Sequence, residues 1–136
     1  MAMLSHVGRV RARNEDFVFC DEVLGIAVLA DGMGGHAGGN VAARLAVDTW
    51  VGRIRKCLVE PLGERDLRVA VAEANRVVFA AACADPALRR MGTTLVAACF
   101  RRDDTLLTCN VGDSRLYRLR GDVLSCLTRD HSVLRA

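Results

Sequence analysis

Asp31 closes a short apolar run, Val23 to Ala30, and opens the glycine-dense stretch Asp31-Gly32-Met33-Gly34-Gly35-His36-Ala37-Gly38-Gly39. A carboxylate at the end of a buried strand is costly unless something compensates it. A divalent cation would do so, with a neighbouring glycine carbonyl as a second oxygen ligand. A turn cap leading into a helix would account for Asp31 as well. The glycines let backbone groups come close to a ligand. His36 lies inside this stretch, placed either to relay a proton at a nearby site or to stand in water. Arg11-Ala12-Arg13-Asn14-Glu15-Asp16 sets two adjacent carboxylates behind two arginines. The arginine fork suits a pair of phosphate oxygens, and carboxylates suit hard metals. A solvated charged turn has the same composition. Asn110-Val111-Gly112-Asp113-Ser114-Arg115 ends a strand in a turn that carries one carboxylate and one arginine. Gly-Asp-Ser is also ordinary turn chemistry. Met91-Gly92-Thr93-Thr94 precedes a strand, and Thr128-Arg129-Asp130-His131-Ser132 reads as a helix N-terminus with Thr128 or Asp130 as the cap.

These segments need elements to hold them. Val23 to Ala30 reads as a strand buried on both faces, because its apolar run is nearly continuous. Val47, Trp50, Val51, Ile54 and Leu58 mark the apolar face of one helix, and Leu67, Val71, Ala74 and Val78 that of a second. Pro61 and Gly63 separate them. The second helix is expected to end near Asp85-Pro86, since the residue before proline avoids the helical region. Thr93 to Phe100 reads as a strand, joined through the charged tip Arg101-Arg102-Asp103-Asp104 to a partner over Thr105–Val111. Arg115–Arg120 and Val123–Leu127 flank the turn Gly121-Asp122. Strands, two helices and a meander of strands make an α+β pattern with an antiparallel sheet. A nucleotide fold of alternating strands and helices is disfavoured, and no GxGxxG follows a strand.

The 136 residues, 51% hydrophobic and 26% charged, fit one globular domain over 1–136. A net charge of +3 does not imply nucleic acid, and 4% aromatics is too few for a stacking groove. The six cysteines form no CxxC pair, which removes support for a zinc knuckle. Several lie in apolar runs, among them Cys83 and Cys99, and read as buried free thiols of a reducing compartment. Met1 to Asn14 lacks the apolar core of a secretory signal. No run approaches the roughly 18 residues of a membrane span. The expectation is a cytoplasmic protein without membrane or nucleic-acid partners.

Taken together and in this order, the segments resemble the N-terminal part of the metal-dependent serine/threonine protein phosphatases of the PP2C (PPM) family, in the bacterial style. The matching residues are Gly8-Arg9-Val10-Arg11 through Asn14-Glu15-Asp16, Asp31-Gly32-Met33-Gly34-Gly35-His36, Met91-Gly92-Thr93-Thr94-Leu95, Val111-Gly112-Asp113-Ser114-Arg115, and Thr128 with Asp130-His131-Ser132. The resemblance implies an antiparallel β-sandwich flanked by helices, in α-β-β-α layers. It implies a binuclear Mn²⁺ or Mg²⁺ centre. Asp31 would be the carboxylate shared by both metals, and Gly32 would give its carbonyl. Asp16 would hold metal-bound waters with Glu15 beside it, and Asp113 would support a third, looser metal. Arg11 would grip the substrate phosphate. Met33 stands where many eukaryotic members have a histidine, so no acid role is carried to it. Two such metals, about 3.5–4 Å apart, activate a water and neutralise phosphoryl oxygens. The cysteines lie outside any Cys-x5-Arg loop, which disfavours a thiol nucleophile.

The implied function is hydrolysis of phosphoserine and phosphothreonine in proteins, with phosphoproteins and a cognate kinase as partners. The family pattern also implies two further aspartates, in Ser-Asp-Gly and Asp-Asn segments that would follow Ala136. The chain is therefore expected to be weak or inactive alone, and a half sandwich is expected to be marginally stable or to self-associate. The alternative is a non-catalytic module that binds phosphoproteins or a regulator.

Overall fold

The computed structural model describes residues 1–34, 38–57 and 62–131. Alternation along the first two strands sets the layout. In β1 (Asp16–Asp21), Phe17 and Phe19 turn to one face. In β2 (Ile26–Met33), Ile26, Val28 and Ala30 turn to the same face and are buried. Two helices cover it, α1 (Gly38–Cys57) and α2 (Glu64–Ala84), with α1 packed on both α2 and β2. Val47, Trp50, Val51 and Ile54 form the buried stripe of α1, and Leu67, Ala70, Ala74 and Val78 that of α2. Trp50 is 0% exposed, and removing so large a buried side chain costs about 3–5 kcal/mol. Arg44 and Arg55 of α1 lie over the rings of Phe17 and Phe19, 5.5 and 5.4 Å from their centroids. Leu58 lies outside the described residues.

Gly63 is the N-cap of helix α2, and its N–H donates to Asp66 Oδ2 at 3.0 Å. It ends one residue before Asp85-Pro86, as the proline requires. A short 3₁₀ turn, Pro86–Leu88, leads to β3 (Gly92–Thr93) and β4 (Leu95–Phe100). The remaining strands are β5 (Leu106–Val111), β6 (Tyr117–Arg120) and β7 (Val123–Cys126). The main sheet has five strands in the order β1-β2-β4-β5, with β3 on the end of β2, and all its pairs are antiparallel. The β6–β7 hairpin forms a separate sheet of two strands. This is the expected α+β fold. Of the expected layers, the described residues fill one helix layer and one sheet, with the hairpin beyond it.

Three boundaries differ from the sequence reading. The second strand begins at Ile26, because Asp21 accepts from the amides of Val23 and Leu24 and closes a turn there, leaving Val23 95% exposed. The same strand runs on through Asp31 and Gly32 to Met33, so both residues belong to the sheet and not to the loop. The run from Thr93 to Phe100 is broken at Thr94 into β3 and β4.

All six cysteines are free. Cys99 is buried, whereas Cys83 is exposed, against the expectation, because Ala74 and Val78 occupy the buried side of α2. Burial pushes the Cys99 thiol up to about 12 and the Cys109 thiol up to about 11, the behaviour of small hydrophobes and not of nucleophiles. Among the described residues no helix is long and apolar enough to cross a membrane.

Candidate active site

The register of the first hairpin places Asp16 directly opposite Asp31. The Asp31 peptide is engaged on the other side of its strand, where its carbonyl accepts from Thr94 N–H at 2.9 Å and its N–H donates to Thr94 Oγ1 at 3.0 Å. Toward β1, Asp31 therefore occupies a non-hydrogen-bonded pair, the position at which facing side chains come closest. Two carboxylates opposed in this way destabilise a sheet unless a positive charge lies between them. Asp31 keeps an exposed face, yet its carboxyl is held above the ordinary carboxylate value. Partial burial is the largest cause, followed by the charge of Asp16; Arg11 pulls the other way, and Asp113 adds a smaller push upward. Arg11, Asp16, Asp31 and Asp113 thus share one electrostatic neighbourhood.

Position 32 in this end of β2 tolerates no side chain. A Cβ there would stand 2.0 Å from the Gly39 carbonyl oxygen and 2.7 Å from that of Glu15. The strand runs directly against the first turn of α1, and Gly32 N–H donates to the Glu15 carbonyl at 3.1 Å. The Glu15 carboxylate packs on Gly39, where an added Cβ would meet its Cδ at 2.7 Å. Helix α1 has no acidic residue in its own first turn, so Glu15 supplies from outside the negative charge that a helix N-terminus favours. Arg11 Nη1 lies 3.9 Å from Glu15 Oε2. Glu15 is thereby turned to the helix, while Asp16, one residue on, faces Asp31. His36 lies outside the described residues.

Asp113 sits in the turn after β5. Gly112 holds that turn with φ +97 and is pinned from the 128–131 segment: His131 N–H donates to the Gly112 carbonyl at 3.0 Å, and Asn110 Nδ2 donates to Arg129 O at 3.1 Å. Arg115 grips Asp130 with two bonds, Nε to Oδ1 at 2.9 Å and Nη2 to Oδ2 at 2.6 Å. The Asp130 carboxylate and the neighbouring Tyr117 hydroxyl hold the Arg115 guanidinium more firmly protonated than usual. Thr128 Oγ1 accepts from Leu116 N–H at 3.1 Å. Thr128 and Asp130 therefore brace the turn, and no helix follows Thr128 over the described residues; Ser132 and the helix expected after Asp130 lie outside them.

The donors at the Asp31 end are all oxygen, as a hard divalent cation prefers. A cation would also relieve the repulsion between Asp16 and Asp31, so the residues present fit one side of a metal site. They do not close it: among the described residues no three His, Cys, Asp or Glu side chains converge for a metal. The residues missed in the sequence are Thr94 and Ser114, whose hydroxyls meet at 2.6 Å between the Asp31 strand and the Asp113 turn. Met91-Gly92-Thr93-Thr94 was the available signal, but the spacing alone does not show which hydroxyl turns inward.

Two solved structures sharing this fold are serine/threonine phosphatases. That of Mycobacterium tuberculosis PstP/Ppp matches with a TM-score of 0.82 and 38% identity, over 93% of this chain and 52% of that one. The catalytic domain of PstP in complex with 2 manganese ions matches with a TM-score of 0.80 and 37% identity, over 93% and 54%. The chain itself belongs to the Protein phosphatase 2C family, whose sequence pattern matches residues 6–133. It is 40% identical over 134 residues to the serine/threonine phosphatase stp of Listeria innocua, covering 93% of this chain and 52% of the relative. The chain thus spans about half the length of such relatives.

Proposed function

We propose that this chain provides the Asp31 side of a metal-dependent phosphatase site acting on phosphoserine and phosphothreonine in proteins. The observation that carries the reading is the opposition of Asp16 and Asp31 at the end of the sheet, with the Asp31 carboxyl raised by burial and by its neighbour. Asp31 and the Gly32 carbonyl would hold Mn²⁺ or Mg²⁺, with Asp16 across from them and Asp113 at the margin. Bound there, the cation supplies charge neutralisation at the phosphoryl oxygens and activation of water. Manganese in the PstP neighbour supports the choice of metal. Arg11, with 65% of its side chain exposed, is free to turn its fork to the phosphate of a docked phosphoprotein. Glu15 holds the Arg11 segment to α1. The single domain over 1–136 supplies these groups, in a cytoplasmic protein that reverses the work of a cognate kinase.

Turnover by the chain alone is expected to be weak. The test is Mn²⁺ binding by calorimetry: the chain is expected to bind and Asp31→Asn to lose binding. Equal binding by both proteins would overturn the reading. A second reading, phosphoprotein binding without turnover, is favoured by the lack of a third converging ligand among the described residues. Phosphopeptide binding that depends on Arg11 but not on Mn²⁺ would select it.

A further inference from the structure

Thr94 is the buried polar residue of the described core, at 6% exposure. The register pairing Leu29 with Val96 and Gly32 with Thr93 sets it opposite Asp31. An antiparallel pair at this position ordinarily exchanges two peptide hydrogen bonds. Here only one is made by peptides, from Thr94 N–H to the Asp31 carbonyl at 2.9 Å. The Asp31 N–H goes instead to the Thr94 hydroxyl at 3.0 Å. The Thr94 carbonyl is turned to the Thr93 hydroxyl at 2.9 Å, and that hydroxyl also lies 3.0 Å from the Asp31 carbonyl. On its far side, Thr94 Oγ1 meets Ser114 Oγ at 2.6 Å. The Thr94 methyl packs on Gly112, where an added Cβ would meet Cγ2 at 2.7 Å. One side chain therefore touches the peptide that carries Asp31 and the turn that carries Asp113.

We infer that Thr94 and Ser114 are positioning residues that fix the separation of Asp31 and Asp113, and so set the cation affinity of the site. The inference rests on the reading of Asp31 as a cation ligand. The chemistry requires a hydroxyl at residue 94, because it must accept from the Asp31 N–H and still bond Ser114. Valine has nearly the same shape and can do neither. In Thr94→Val the Asp31 N–H must turn to the Thr94 carbonyl or stay unsatisfied, and the Asp113 turn loses its tie to the strand.

The test is Mn²⁺ calorimetry on the full chain, with thermal melting as the folding control. Loss of a residue that orients a metal ligand typically weakens affinity about 10–100-fold. Thr94→Val is expected in that range, and Thr94→Ser is expected to restore wild-type affinity. Ser114→Ala is expected to weaken binding in the same direction, and the double variant Thr94→Val, Ser114→Ala to be no weaker than Thr94→Val alone. Wild-type affinity in Thr94→Val, or additive losses in the double variant, would overturn the inference. Asp31→Asn that binds as well as wild type would instead remove the site reading beneath it. Amide hydrogen exchange provides a metal-free readout. Thr94→Val is expected to speed exchange at both Asp31 and Gly112, and an unchanged rate at Gly112 would defeat the coupling. Should Thr94→Val fail to fold, Ser114→Ala carries both measurements.

Discussion

The two faces of the main sheet are built from the same strands and are covered differently. On the helix side Ile26, Val28, Ala30, Ala97 and Cys99 are closed over by α1 and α2. On the outer side Val18, Cys20, Ala27, Leu29, Val96 and Ala98 line a groove of about 300 Å³, bordered by Met3, Leu4 and Leu116. The hairpin beyond it keeps Leu119 and Leu124 more than half exposed. The outer face also carries Asp16 and Asp31 at its end. The helix face holds the fold together, and the outer face carries two opposed carboxylates at its end, as the proposed site requires. This is the usual opposition between stability and function at a site.

The largest effect that would test this contrast comes from Gly32→Ala. The new Cβ would overlap the Gly39 carbonyl, and the loss is expected to exceed about 4 kcal/mol, enough to abolish a cooperative melt by circular dichroism. A normal melt would show that α1 can retreat from β2. Trp50→Ala comes next, with about 3–5 kcal/mol lost in urea unfolding; a loss below 1 kcal/mol would remove the distinction between the faces.

On the outer face the sign should reverse. Asp31→Asn is expected to stabilise the metal-free chain by about 0.2–1 kcal/mol, the size of a like-charge pair across strands. The pH dependence follows from the raised Asp31 carboxyl. The folded chain holds this proton more tightly than the unfolded chain, so its contribution is full below the ordinary carboxylate value and is lost as pH rises through the raised one. The advantage of Asp31→Asn should therefore be larger near pH 7 than near pH 4. A gain independent of pH would assign the effect to something other than charge. Smallest of all is Leu124→Ala in the hairpin, expected within about 0.5 kcal/mol of wild type. A larger loss would mean that the hairpin is packed more tightly in solution. Sedimentation of the same variant would show whether its exposed apolar side chains draw copies together.

Much of this was legible in the sequence because it is local. The stripes of Val47, Trp50 and Ile54 and of Leu67, Ala74 and Val78 follow the helical repeat, and Pro86 dictates where α2 stops. The charged tip at 101–104 does separate β4 from β5. What could not be read depends on register between strands. Nothing near Asp31 says that Asp16 will face it, or that Thr94 will replace a carbonyl with a hydroxyl. The adjacent carboxylates Glu15 and Asp16 look alike in sequence. Alternation of side chains separates them, sending one to the helix and one to the opposite strand. The Val23 boundary failed for a related reason: an apolar residue in a turn fixed by Asp21 looks like the start of a strand.

The bond between Asp31 and Thr94 joins residues 63 positions apart. Closing so long a loop carries an entropy that grows with the logarithm of its length, and both helices lie within it. A refolding chain can recover helical signal from contacts made within and between α1 and α2, long before its two ends meet. The first hairpin can set Asp16 against Asp31 early, but the tie from Asp31 through Thr94 to the Asp113 turn is completed only with that pairing of β2 with β4, so cation affinity should return as the slow event of refolding.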